Sequence, residues 1–284
     1  MTAADAARPP AKGHRDENFP VASFILRKPH RTAVMSFYRF ARKADDVADD
    51  PAAAPADKLA RLGAMQAALD GEAPADAEAF ALRCAAERRG LPLVHARELL
   101  EAFRRDVVVR RYETFAALLD YCRYSAMPVG RFVLDVHGES RDLWPASDAL
   151  CAALQIINHL QDCAKDYKSL DRVYLPLEDL AAAGCEVDAL AAPKASAALL
   201  AVIHGLAGRT QGLLATARPF AAGIRDPRLA YEVAVIQTLA EDLTKTLLRK
   251  DPLSQRVKHR GDEAAALVVR AAAGAFLERR RARP

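Results

Sequence analysis

The chain has 284 residues, about half of them apolar, with a formal charge of +4 and a pI near 8.8. This is enough apolar material for a sizeable core, while the mild charge, without aromatics among the clustered basic residues, argues against a nucleic-acid partner. Five cysteines (Cys84, Cys122, Cys151, Cys163 and Cys185) are scattered and form no Cys-x-x-Cys pair. That excludes a disulfide frame and a zinc site, and fits free thiols in a reducing, cytoplasmic setting.

Residues 1–15, with Pro9, Pro10 and Gly13, read as a flexible leader without a secretory apolar stretch, and 16–284 as one domain. Helical spacing of Val34, Phe37, Tyr38 and Ala41 predicts a helix over 31–50, stopped by Pro51. Further helices are expected over 57–69, 75–88 and 92–104. Thr114 should cap one that reaches Tyr124. Pro128 should break or kink that helix, with Gly130 permitting a bend or close packing. The next helix is expected to start at a Ser147-Asp148 cap and to run through Asp166. Residues 172–176 read as an extended strap, followed by helices over 177–183, 195–220, 227–249 and 261–280. The alanine-rich, aromatic-poor composition and the absence of alternating strands predict an all-α domain of about ten helices around a central cavity.

Two acidic clusters stand out on this background. Asp45, Asp46, Asp49 and Asp50 close the first helix, and Gln155, Asn158, Asp162 and Asp166 repeat every three or four residues along a later one. Such spacing puts each set on one helix face. Like charges at that spacing destabilise a helix, so two such faces opposed need cations between them. Magnesium, which takes one or two carboxylates plus water and phosphate oxygens, is the ion that fits a diphosphate site. Arg39, Arg42, Lys165 and Arg172 lie near enough in sequence to complete a clamp, and Phe37, Phe40, Tyr121 and Tyr124 to face a carbocation. Each piece also has a plain structural reading, as a solvated helix end, a surface arginine or a core tyrosine.

The run from Leu154 to Pro176 resembles the second signature of the squalene and phytoene synthase family. The run from Phe37 to Asp50 is similar to the family's first aspartate-rich motif, and Tyr124 to Gly130 to a divergent copy of its tyrosine-containing signature. The resemblance implies an all-α isoprenoid-synthase fold, Mg2+, and prenyl diphosphate substrates. It assigns Asp45, Asp46, Asp49, Asn158, Asp162 and Asp166 to metal. Tyr38, Arg42, Gln155, Asn158 and Arg172 go to the substrate, with Asn18, and Tyr124 goes to the reaction.

Two departures from the condensing enzymes of the family bear on which reaction is expected. Gln161 stands where they usually carry arginine, and the segment around Asn18, Phe19 and Pro20 replaces a serine- or tyrosine-containing version. Both resemble the bacterial hydroxysqualene-forming branch, which implies presqualene diphosphate as substrate, water as the quench, and handover to other hopanoid-pathway enzymes. Condensation of two prenyl diphosphates, and a non-catalytic assembly role, remain alternatives. So does the choice between a solvated tail and an acidic membrane surface for Arg279, Arg280, Arg281 and Arg283.

Overall fold

A computed structural model describes the backbone of residues 27–72 and 76–281 and the side chains up to 276; the leader, Asn18 and the end of the arginine tail lie outside it. The chain forms α1 (Lys28–Ala48), α2 (Pro55–Asp70), α3 (Ala77–Glu87), α4 (Val94–Val108), α5 (Phe115–Ser125) and α6 (Met127–His137). After these come α7 (Trp144–Leu170), α8 (Leu177–Ala182), α9 (Ala197–Ala217), α10 (Phe220–Gly223), α11 (Pro227–Leu247) and α12 (Gly261–Arg281).

Local chemistry explains most of these boundaries. Proline sits in the first turn of α1, α2, α6, α7 and α11, where its missing N–H costs nothing. Thr114 accepts from Ala117 N, and Asp76, Ser196 and Asp226 cap α3, α9 and α11 in the same way. Gly71 and Gly138 close α2 and α6 in the left-handed conformation.

Three expectations change. Pro128 does not kink a helix but opens α6, a helix the sequence reading left unassigned. Ser147 is no cap: α7 starts at Trp144 on Pro145, and Ser147 is fully buried one turn in. The helix expected over 195–220 divides into α9 and the short α10. The other helix ends shift by no more than about four residues, the spread expected of boundary readings.

Two large apolar clusters form the body. One joins α1 to α4 with Phe132 and Val136 of α6, including a stacked Phe37–Phe132 pair at 4.1 Å. The other joins α5, α7, α9 and α11. The apolar α9, long enough to cross a membrane by hydropathy, packs on α7 and α11 and buries Leu199, Val202, Ile203 and Leu206. The strap after α7 lies along residues 109–113: Arg111 and Val173 form an isolated parallel bridge, and Leu177 N donates to Tyr112 O at 2.9 Å. Where α6 crosses α7, a Cβ on Gly130 would lie 2.7 Å from Cys151 Sγ and against Ser147 Oγ, so this crossing requires glycine.

Candidate active site

Between the two clusters lies a cavity of about 500 Å3, walled by α1, α4, α6, α7 and α11. One end is mostly apolar, with Val129, Leu150, Leu154, Phe220, Val233 and Ile236 among its walls and the buried Glu232 of α11 next to Val233. The other carries Arg42, Asp45, Asp49, Asn158, Asp166 and Arg172. α1 supplies Tyr38, Ala41, Arg42 and Asp45 at helical spacing, with Asp49 just past its last turn. The facing side of α7 supplies Gln155, Asn158, His159 and Asp166.

The acidic end is electrostatically tense. Arg42 Nη1 binds Asp45 Oδ2 at 2.6 Å, and its Nη2 lies 3.6 Å from Asp46. Withdrawal from water and then the neighbouring Asp49 carboxylate push the Asp45 carboxyl up to about 7, against the pull of Arg42. Arg172 reaches across the cavity floor from the strap. Its Nη1 binds Asp49 Oδ1 at 2.6 Å, its Nε donates to the Asp106 carbonyl at 3.2 Å, and its Nη2 to the Ala48 carbonyl at 3.4 Å. Burial opposes its charge, yet Asp106 and Asp49 raise its pKa further. Asp171 makes this possible by capping α7 in the left-handed conformation (φ 53°), which turns the chain back toward α1.

A site residue missed in the sequence is Asp106 on α4. Its carboxylate is buried and accepts from Tyr121 OH at 3.0 Å and Tyr174 OH at 3.4 Å. Burial raises it to about 6, although Arg172 and the Tyr121 hydroxyl pull it down. The available signal was a lone acid on the apolar face Leu99, Phe103, Asp106, Val107. His159 on α7, which no ligand spacing singles out, also lines the cavity. Its ring stacks on Tyr174 at 3.5 Å, its Nε2 meets the Gln155 amide at 3.0 Å, and its Nδ1 lies 3.9 Å from Asp166. Burial holds its pKa down.

The structure does not bring all the expected residues to the cavity wall. Asp46 and Asp162 are nearly half exposed at its edge, Asp162 beside Lys165 at 3.8 Å. Tyr124 is not in the wall; it lies under Arg105, 4.1 Å from the ring centre, and Tyr121 lines the cavity one turn earlier. Phe37 and Phe40 point into the α1–α4 core, leaving Phe103 and Phe220 as the aromatic walls contributed by phenylalanine. Gln161 donates its amide to the Val257 carbonyl at 2.5 Å, tying α7 to the segment before α12.

The donor set fits a magnesium ion. A carboxyl raised by burial and a like-charged neighbour is relieved by a cation, and oxygen donors from α1 and α7 face each other. Among the described residues no three His, Cys, Asp or Glu side chains converge into a protein-only cage.

Helices around a cavity that is acidic at one end and apolar at the other define an isoprenoid-synthase fold. The model of the squalene/phytoene synthase family matches residues 12–263. The chain is 53% identical to a hydroxysqualene synthase of Zymomonas mobilis over 95% of its length and 91% of the relative. It is 53% identical to another from Rhodopseudomonas palustris over 90% and 88%. The crystal structure of squalene synthase HpnC from Alicyclobacillus acidocaldarius, at 34% identity, superposes with a TM-score of 0.71 over 81% of this chain and 87% of that one. A dehydrosqualene synthase in complex with ligand, 22% identical, shares the fold with a TM-score of 0.79 over 92% of each chain. The chain belongs to the squalene/phytoene synthase family and is an enzyme. That family acts on prenyl diphosphates and generally uses a divalent metal to ionise them.

Proposed function

We propose that this enzyme ionises presqualene diphosphate and lets water capture the rearranged cation, releasing hydroxysqualene and diphosphate. The observation that carries the reading is 49–53% identity to three curated hydroxysqualene synthases over at least 90% of the chain.

The cavity's two ends divide the work. Asp45, Asp49 and Asp166 would hold Mg2+ with Asn158, and with Asp46 and Asp162 at the edge; once bound, the ion neutralises charge on the departing diphosphate. Arg42 and Arg172 fix the carboxylates of α1 and add positive charge where the phosphate oxygens would lie. Tyr38 and Gln155, one turn from Arg42 and Asn158 on their helices, line the wall beside the acidic end, the place for the reacting carbons. The apolar walls keep bulk water from the cation until it has rearranged. Capture forms one C–O bond and releases one proton from the attacking water. Gln161 adds no charge to the diphosphate end, which supports one diphosphate being handled there and not two.

The enzyme would work in the cytoplasm, meeting the membrane at its surface to collect a lipid substrate and hand product to other hopanoid-pathway enzymes. Magnesium-dependent release of diphosphate from presqualene diphosphate tests the site. Asp45→Ala and Asp166→Ala should each lower the rate more than about a hundredfold, several kcal/mol of lost charge stabilisation. Native rates in both variants would remove the assignment.

A further inference from the structure

A surface helix ordinarily carries one apolar stripe; α12 carries two. Leu267 and Ala271 pack on Val235 and Leu239 of α11, and Ala275 is buried on the same side. Ala265, Val268, Val269 and Ala273 share a second face, three and four residues on from Ala265 and then four on from Val269, and all are exposed. Val269 is 69% open to solvent.

The charge of the molecule is concentrated at this end. Residues 245–276 hold seven Lys and Arg against three Asp and Glu, a net +4, which equals the charge of the whole chain. Beside the second face, a cleft of about 410 Å3 opens between the end of α11 and the start of α12. Thr246, Arg249, Lys250, Lys258 and His259 line it, and Ala266 and Leu267 are also in its wall. Its acids are engaged: Asp242 binds His259 at 3.1 Å, and Glu263 lies 3.5 Å from Arg260. Among the described residues, Arg249, Lys250 and Lys258 form no ion pair.

We propose that α12 is a membrane-docking surface, its outer apolar face resting among the acyl chains of an anionic leaflet while the basic cleft takes phospholipid phosphates. The combination of an exposed apolar stripe with clustered Lys and Arg is what an interfacial helix presents to anionic lipid. The placement serves the cavity. α11 lines it with Val233 and Ile236 and carries α12 on Val235 and Leu239, so two helix diameters, about 20 Å, lie between lipid on the outer face of α12 and the cavity. The purpose of docking rests on the lipid-substrate reading above, but docking itself does not.

Co-sedimentation of the full chain with vesicles, without substrate, tests it. Phosphatidylcholine vesicles containing about one third phosphatidylglycerol should bind the protein, and phosphatidylcholine alone should not. Val269→Asp should abolish binding while leaving thermal unfolding unchanged, because the side chain is exposed. Arg249→Ala with Lys258→Ala should weaken it about fivefold per charge, and added salt should do likewise. The proposal is overturned by equal binding to both vesicles, by no binding, or by retained binding in the Val269→Asp variant. It is also overturned if Val269→Asp instead converts a dimer to a monomer in size-exclusion chromatography, which would assign the face to a second copy. None of these outcomes depends on which diphosphate is consumed, so docking and reaction fail separately.

Discussion

Arg172 and Asp49, 123 residues apart in sequence, meet at 2.6 Å across the acidic end of the cavity. The contact joins the strap after α7 to the end of α1, and the same guanidinium holds two backbone carbonyls. Arg172→Ala should lower stability by about 2 kcal/mol, less than the loss of a fully buried pair because Asp49 keeps about a third of its side chain exposed. Arg172→Lys should recover little of this, since a point charge cannot serve a carboxylate and two carbonyls together. Chemical denaturation of the three proteins measures both effects.

Asp106 sets a pH dependence of known sign. Its folded carboxyl titrates at about 6 against an ordinary 3.8, so the native state binds its proton more tightly than the unfolded chain. The contribution is fully present below about pH 4 and is lost as pH rises to about 6, at most about 3 kcal/mol. Asp106→Asn keeps a neutral group of the same shape. The native protein should therefore lose stability relative to this variant as pH is raised from 4 to 6, read from unfolding curves at each pH. A constant difference between the two proteins would contradict the burial assigned to Asp106.

Gly130 is a packing requirement. Gly130→Ala drives a Cβ against Ser147 and Cys151 of α7, and α6 must move away. The expected cost is about 1–3 kcal/mol, the usual range for overpacking. Thermal unfolding checks it, and Gly205→Ala on α9, with open space around its Cβ, is the matched control.

The parts of the site that were legible in the sequence are those whose register a single helix fixes. Asp45 with Arg42, and Gln155 with Asn158 and Asp166, share faces by spacing alone, and the structure turns those faces to one cavity. What spacing leaves open is which of two apolar faces looks inward. Tyr38 lines the cavity while its neighbours Phe37 and Phe40 fill the α1–α4 core; a rotation of about 100° per residue separates these fates. Tyr121 and Tyr124 sit one turn apart on α5, and only packing against α7 decides that the first reaches the cavity. Asp106 was hidden because its partners come from two other segments, Tyr121 from α5 and Arg172 and Tyr174 from the strap. The boundary of α6 was missed because Pro128 is as suited to a helix start as to a kink.

Magnesium and diphosphate should bind together. In thermal unfolding, magnesium with inorganic diphosphate at about a hundred times its dissociation constant should stabilise the protein by about 2.7 kcal/mol, roughly 5–10 °C. Magnesium alone should shift it much less, because among the described residues no three His, Cys, Asp or Glu side chains form a cage. Asp166→Ala should erase the joint shift.

The most direct test of the account is product identification by mass spectrometry after incubation with magnesium and no reductant, using presqualene diphosphate and farnesyl diphosphate in separate reactions. Hydroxysqualene and diphosphate are expected from the first, and no efficient condensation of the second. Efficient conversion of farnesyl diphosphate to a condensed product, or failure to turn over presqualene diphosphate, would contradict it.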